Sequence, residues 1–248
     1  MLRFFRNIRQ KLLENGNLRK YFWYALGEIL LVMIGILLAL QVSNWNQNRI
    51  EHEQLQNYYE RIIEEIESDI PVKQNFLEMN QLVIELNKRT LNLLSSGHPD
   101  SLNELKNTLG ALSTAWSLKL SYPVLNEFKN NGYLTHVQNT QLKQKFFELY
   151  TAIEFTNAMD DYIKDQYLNT IEPFIIRSFN YQAVAMERYQ AFLIPGGPSI
   201  DYTALAENLE LWNTVTFKLE TAELYSEYLS GLIDEQSSLI VLLKKELE

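Results

Sequence analysis

From Tyr21 to Leu40 the chain reads YFWYALGEILLVMIGILLAL, an apolar run broken by a single acid. As an α-helix, a run of that length rises roughly 30 Å, the thickness of a bilayer's hydrocarbon core. The pattern predicts one transmembrane helix over residues 21–42. Tyr21, Trp23 and Tyr24 stand at one end of the run and Trp45 beyond the other, where amphipathic rings favour the membrane interface. A cleaved signal peptide is the competing explanation. Its apolar core would be shorter, ~7–15 residues, and would end in small residues, which Ala39-Leu40-Gln41 does not supply.

After Trp45 polarity rises without a helix breaker, so the helix is expected to run on beyond the membrane. Leu55, Tyr59, Ile62, Ile66 and Ile70 form a stripe at spacings of three and four. Pro71 is expected to kink this helix or begin a new one. The stripe resumes at Leu77, Ile84, Leu91 and Leu94 and ends at the turn Ser95-Ser96-Gly97-His98-Pro99. A shorter helix is predicted from Ser101, with Leu102, Leu105, Leu109 and Leu112 on one face.

Pro123 suits a first helical turn, Gly132 a left-handed C-cap, and Asn139 the N-cap of a helix carrying Leu142, Phe146, Leu149 and Ile153. Glu172-Pro173 should break or bend that helix, and IPGGPS at 194–199 reads as a loop. Beyond it Leu205, Leu209, Trp212, Thr216, Leu219, Leu229, Leu232, Gln236, Leu239 and Leu243 keep helical spacing. Strand-like alternation is nowhere evident. The expected fold is all-α: a single transmembrane helix continuing into an extramembrane bundle of about five or six helices, the first and last of them long.

Charge divides the chain in the same places. Net charge is −9, but residues 1–20 carry +5 and the remainder −14. The domains expected are a basic amphipathic segment (1–20), the transmembrane helix (21–42) and an acidic helical domain (43–248). Within MLRFFRNIRQKLLE, the residues Phe4, Phe5, Ile8, Leu12 and Leu13 recur at helical spacing among Arg and Lys. This suits a helix lying on an anionic leaflet, with Asn15-Gly16-Asn17 turning into the span. Arg19 and Lys20, with Trp23 and Trp45, are the expected interfacial anchors. All nearby positive charge precedes the span, placing the N-terminus in the cytoplasm and the acidic domain in the periplasm of a bacterial inner membrane. A basic patch that ends against an apolar run points to lipid headgroups and not to nucleic acid. With no cysteine, disulfides, thiolate metal sites and cysteine nucleophiles are excluded.

Glu28 is the costly residue of the span: a carboxylate at depth costs on the order of 2.5–3.5 kcal/mol on insertion scales. Protonation or a partner group on another helix relieves that cost. Gly27, Leu31, Gly35, Ala39 and Ser43 recur every fourth residue beside it, a small-residue ridge of the kind that lets helices approach closely. Gly27, Glu28, Gly35 and Ala39 are the expected helix–helix contact in the membrane. The plainer alternative is that Glu28 snorkels to the headgroups.

Catalytic and metal signatures are missing. Gly196-Gly197 lacks the Lys and the preceding strand of a phosphate loop. Glu60, Glu64, Glu65, Glu67 and Asp69, like Asp160, Asp161 and Asp165, read as solvated helix faces without a Glu-x-x-His partner. His52, His98 and His136 lack ligand spacing. No cofactor is called for. Tyr58, Tyr59, Phe146, Phe147, Tyr150, Tyr225 and Tyr228 are read as core, and exposure of several on one face would instead mark a ligand groove or partner surface.

The stretch FFRNIRQKLLENGNLRKYFWYALGEILLVMIGILLALQVSNWNQNR resembles the opening of a bacterial family of single-span membrane proteins classed as a domain of unknown function. The densest matches are FFR-x-IRQ-x-LL, Y-A-x-GEI, IGI-x-LAL and N-W-N. The resemblance implies an inner-membrane anchor and a helical C-terminal region, and it implies no activity. The expectation from the residues is an interaction or sensor-like module that binds a protein partner or small ligand, or assembles as a homo-oligomer through its span. An envelope enzyme with a site built from scattered residues and a passive structural spacer are the alternatives.

Overall fold

The computed structural model of the protein describes residues 18–115 and 118–248. The expected amphipathic helix over residues 1–14 and the turn at Asn15–Asn17 lie outside the described residues. Among the described residues the fold is all-α, with no strand. Helix α1 spans Leu18–Ser96, α2 Pro99–Leu102, α3 Pro123–Asn130, α4 Thr140–Gln166 and α5 Glu172–Ser178. Then come α6 Tyr181–Val184, α7 Glu187–Gln190, α8 Tyr202–Ala206 and α9 Leu209–Leu247. By contacts the chain divides into two units, Met1–Asn57 and Tyr58–Glu248.

In the first unit, α1 is the one helix among the described residues long and apolar enough to cross a membrane. Its best window has a mean hydropathy of 2.4, with none of that window buried. Side chains from Ile29 to Val42 stand open on every face, as an apolar solvent would require. Beyond the span Gln47 donates to Glu51 at 3.1 Å and Arg49 to Glu53 at 2.8 Å.

The second unit is a bundle whose long members are the later part of α1, α4 and α9. Helix α1 does not end at Pro71. The buried side chains of Ile66 and Phe76 on either side hold the helix through the lost hydrogen bond. Helices α4 and α9 are antiparallel: Asn139 donates to Glu246 at 2.6 Å near one end and Gln166 to the Phe217 carbonyl at 3.5 Å near the other.

Helix ends follow local chemistry. Asn139 Oδ1 accepts from the amides of Gln141 and Leu142 at 2.9 and 3.1 Å. Gly97 and Gly132 take φ of 60° and 78°, the left-handed geometry that glycine enters freely. Helix α3 is capped from a distance instead. Glu65 of α1 accepts from the amides of Val124 and Leu125 at 2.9 and 3.1 Å, satisfying two orphan donors and placing an anion at a helix N-terminus. Glu65 is therefore a tertiary cap and not part of a solvated face.

Three departures have physical causes. The helix predicted from Ser101 forms α2 and two 3-10 turns, 103–107 and 109–113, yet all four leucines are buried. Between them Gly110 lets two segments touch, for a Cβ there would lie 2.3 Å from the Val184 oxygen and 2.7 Å from the Met186 nitrogen. Before Pro173, α4 widens into a π-helical turn over Tyr167–Ile171, since proline cannot donate to the carbonyl of Asn169. On α9 the buried stripe runs through Leu211, Val215, Lys218, Ala222 and Tyr225, so Leu209, Trp212 and Thr216 lie on the exposed side.

The core has three layers. Tyr59, Ile62, Leu125, Phe128, Phe146, Leu239 and Leu243 fill one end, with Phe128 stacked on Phe146 at 4.9 Å. Leu94, Leu102, Leu105, Leu109, Phe174, Val184 and Leu211 belong to the cluster at the other. Between them lies a polar layer that includes Lys73, Asn80, Asp160, Lys218 and Gln236.

Replacing Gly110 by Ala tests the close approach. Helix propensity alone would favour Ala by roughly 1 kcal/mol. Overpacking against backbone that cannot yield should instead destabilise the bundle by about 1–3 kcal/mol. Urea unfolding of the full chain in neutral detergent, followed by circular dichroism, should show a lower midpoint; an equal or higher one contradicts the packing described.

Candidate interaction face

Helix α4 carries two apolar stripes. Leu142, Phe146, Leu149 and Ile163 point into the core, while Phe147, Phe155 and Tyr162 are 50%, 58% and 52% exposed. Helix α9 repeats the arrangement. Leu211, Tyr225, Leu229 and Leu232 are buried, whereas Phe217, Leu224 and Tyr228 remain open to solvent. Because the two helices are antiparallel neighbours, the second stripes lie side by side. Phe155 stacks on Tyr228 with centroids 6.3 Å apart and planes 9° off parallel.

Two grooves follow this seam. One, of about 440 Å³, is lined by Phe147, Thr151, Phe155, Tyr228 and Gly231 among others. The other, of about 780 Å³, lies between Tyr162, Ile171, Leu209 and Phe217, with Asp165, Glu210 and Asn213 at its edge. Lys145 bridges the helices at the first groove, 2.6 Å from Glu148 and 2.9 Å from Glu235. These two acceptors raise the pKa of the ammonium group and keep it charged. A large, contiguous exposed apolar surface rimmed by polar groups is characteristic of binding sites.

Phe147 and Tyr228, whose spacing predicts core, are on this exposed face instead. Tyr58, Tyr59, Phe146, Tyr150 and Tyr225 are indeed buried. Phe155, Tyr162 and Phe217 join Phe147 and Tyr228 on the exposed face, outside any core stripe. Their signal was available as a second stripe at spacings of seven and eight on helices already supplied with a core stripe.

The residues expected in the membrane contact lie on the first unit of α1. At Gly27 and Gly35 an added Cβ would meet nothing within 4 Å, and Leu31 and Ala39 are exposed, so the ridge is open on this chain. Glu28, half-buried, lies on the same helix. Trp23 and Trp45 are 63% and 67% exposed, and Arg19 also points outward. Lys20 is helical.

The buried charged groups of the bundle lie elsewhere, in the polar layer. Lys73 is fully buried, contacts the Asp69 carboxylate and lies 5.3 Å over the Tyr122 ring. Asp69 also accepts from Tyr122 Oη at 2.6 Å and from Gln236 at 3.3 Å. Lys218 donates to the Thr114 carbonyl, and burial lowers its pKa to about 8. A cavity of about 10 Å³ between Asn80, Lys218 and Tyr225 has room for about one water. Burial likewise raises Asp160 to about 6. Asp160, expected on a solvated face, is thus interior, and Asp69 is half-buried against Lys73 and Tyr122. Among the described residues no three His, Asp or Glu side chains are placed to hold a metal ion.

Comparison with known proteins adds no relative: no family model matches the chain, and neither a curated protein nor a solved structure proves similar to it.

Asp160 gives a pH signature. Free, it would release its proton near 3.8; folded, it holds the proton to about 6. The folded state binds more protons between those values, so this group's contribution to stability falls as pH rises through the window. Asp160→Asn should remove that loss, gaining about 2–3 kcal/mol on the parent at pH 7 and little at pH 3.5. Urea unfolding at both pH values checks this; a difference independent of pH contradicts it.

Proposed function

We propose that the protein is a membrane-anchored helical interaction module, whose bundle engages a protein partner through the aromatic face of α4 and α9. The observation that carries this reading is the second apolar stripe on two adjacent helices, left open beside a core already complete. Apolar side chains in such number are costly to leave in water unless something covers them at least part of the time.

The anchor reading rests on α1, whose apolar segment near the N-terminus is open on all sides. In this account residues 21–42 span a bacterial inner membrane with the basic end in the cytoplasm and the bundle in the periplasm, following the charge asymmetry. Membership of the single-span family that the first fifty residues resemble belongs to the same proposal. Gly27, Gly35 and Ala39 offer a second helix close approach, and Glu28 supplies a polar contact there, with another copy or with a different membrane protein.

A passive spacer would be better served by a polar outer surface, and the stacked Phe155–Tyr228 pair argues for binding. An enzyme would place its perturbed groups in an accessible cleft. Here the groups shifted by burial, Lys73, Lys218 and Asp160, are interior, while the shifted pair at the first groove, Lys145 and Glu148, hold one another in an ion pair.

Crosslinking in intact cells, followed by purification in mild detergent, tests both contacts. Phe155→Ala with Tyr228→Ala should reduce captured partner on the order of tenfold or more, as loss of aromatic anchors commonly does. Its melting temperature should stay near the parent's, since both rings are exposed. Glu28→Gln with Gly35→Leu should weaken association through the span. If both double variants capture what the parent captures, the proposal fails.

A further inference from the structure

Building on the proposed role of the α4/α9 face, we infer that its occupant is a basic amphipathic α-helix supplied by a partner protein. Shape is the first argument. The stripes from Phe147 to Tyr162 on α4 and from Phe217 to Gly231 on α9 overlap for about 15 Å, given 1.5 Å per helical residue. A straight seam between two antiparallel helices accepts a third rod, and here the rod would complete a four-helix bundle with α1, α4 and α9. Small residues at Thr151, Ala158 and Gly231 interrupt the aromatics, and beside Gly231 an added Cβ would meet nothing within 4 Å. These gaps are holes for the knobs of an incoming helix.

Charge is the second argument and selects the partner's sign. Along the outer flank of α4 stand Glu154, Asp161 and Asp165, and along that of α9 Glu220, Glu227 and Asp234, all exposed. The neighbouring cations are already engaged or displaced. Lys145 is held by Glu148 and Glu235, Lys218 is buried on Thr114, and Lys143 stands at one end of the seam. By helical position Lys164 falls on the side of α4 opposite Phe155. An apolar strip between two acidic rims complements a helix with an apolar face bordered by Lys and Arg. A second copy of this bundle would bring acidic rims against acidic rims, and an anionic lipid surface would meet the same repulsion.

The test uses the full chain in nanodiscs of uncharged lipid, with fluorescence anisotropy of two synthetic twenty-residue helices. One carries Leu at positions i, i+3, i+4 and i+7 and Lys elsewhere; the other has Glu in place of Lys. The Leu/Lys helix should bind and the Leu/Glu helix should not. Phe155→Ala with Tyr228→Ala should weaken binding at least tenfold. Glu220→Gln, Glu227→Gln and Asp234→Asn together should weaken it similarly and flatten its salt dependence. Equal charge removal on α1, by Glu60→Gln, Glu64→Gln and Glu78→Gln, should change affinity less than twofold.

Equal binding of both helices, or binding that both rim and α1 variants weaken alike, overturns the inference. Sedimentation of the same samples separates this from failure of the face itself. A self-associated species dissolved by the Phe155/Tyr228 variant, with no peptide binding, would overturn the basic helix while leaving the face as an interaction site. Absence of peptide binding and of any self-association that depends on those rings overturns both.

Discussion

A helix in a bundle of three long helices can turn only one stripe toward the common core, and α4 and α9 each carry two. The first stripe on each packs against α1, with Phe146 and Leu149 on α4 and Leu229 and Leu232 on α9 fully withdrawn from water. The second stripe then has nowhere to go within the chain. Phe155 and Tyr228 relieve part of the cost by stacking on one another, but more than a third of each side chain remains exposed. Hydrophobic burial thus sets both the fold and its unfinished side. The same force that draws α4 and α9 onto α1 leaves an apolar seam along their outer edge.

The middle of the core shows a different compromise. At its two ends the bundle is filled by aromatic and aliphatic side chains, whereas its central layer holds Lys73, Asp160, Lys218 and Gln236. Each buried charge costs stability unless compensated. The compensation is specific: the Asp69 carboxylate for Lys73, the Thr114 carbonyl for Lys218. Such contacts are satisfied in few alignments of the helices. Across the helices Asn80 donates to the Ala222 carbonyl at 2.7 Å and Gln236 to Asp69 at 3.3 Å, and these contacts fix the register of α1 against α9.

Much of the architecture was legible because its signals are local. Gly97 and Gly132 mark helix ends through their φ, Asn139 through its side-chain oxygen, and Pro123 through its fitness for a first turn. The class of fold and the long first and last helices follow from spacing alone. What stayed hidden depends on which neighbour a side chain meets. Nothing near Glu65 in sequence says that its carboxylate will cap a helix beginning near residue 123. Leu209 and Trp212 match a core period but fall on the exposed side, since the buried stripe of α9 runs instead through Leu211, Val215 and Lys218. Phe147 and Tyr228 are as hydrophobic as any core residue, and only the assembled bundle distinguishes the inward stripe from the outward one.

The central claim is that the aromatic seam is covered by another protein. A photoreactive phenylalanine analogue at position 155, compared with the same analogue at Glu78 on the exposed side of α1, tests it in intact cells. The account predicts a discrete, heavier crosslinked species from position 155 and none from position 78. A bundle whose position 155 yields no more adduct than position 78 would contradict it.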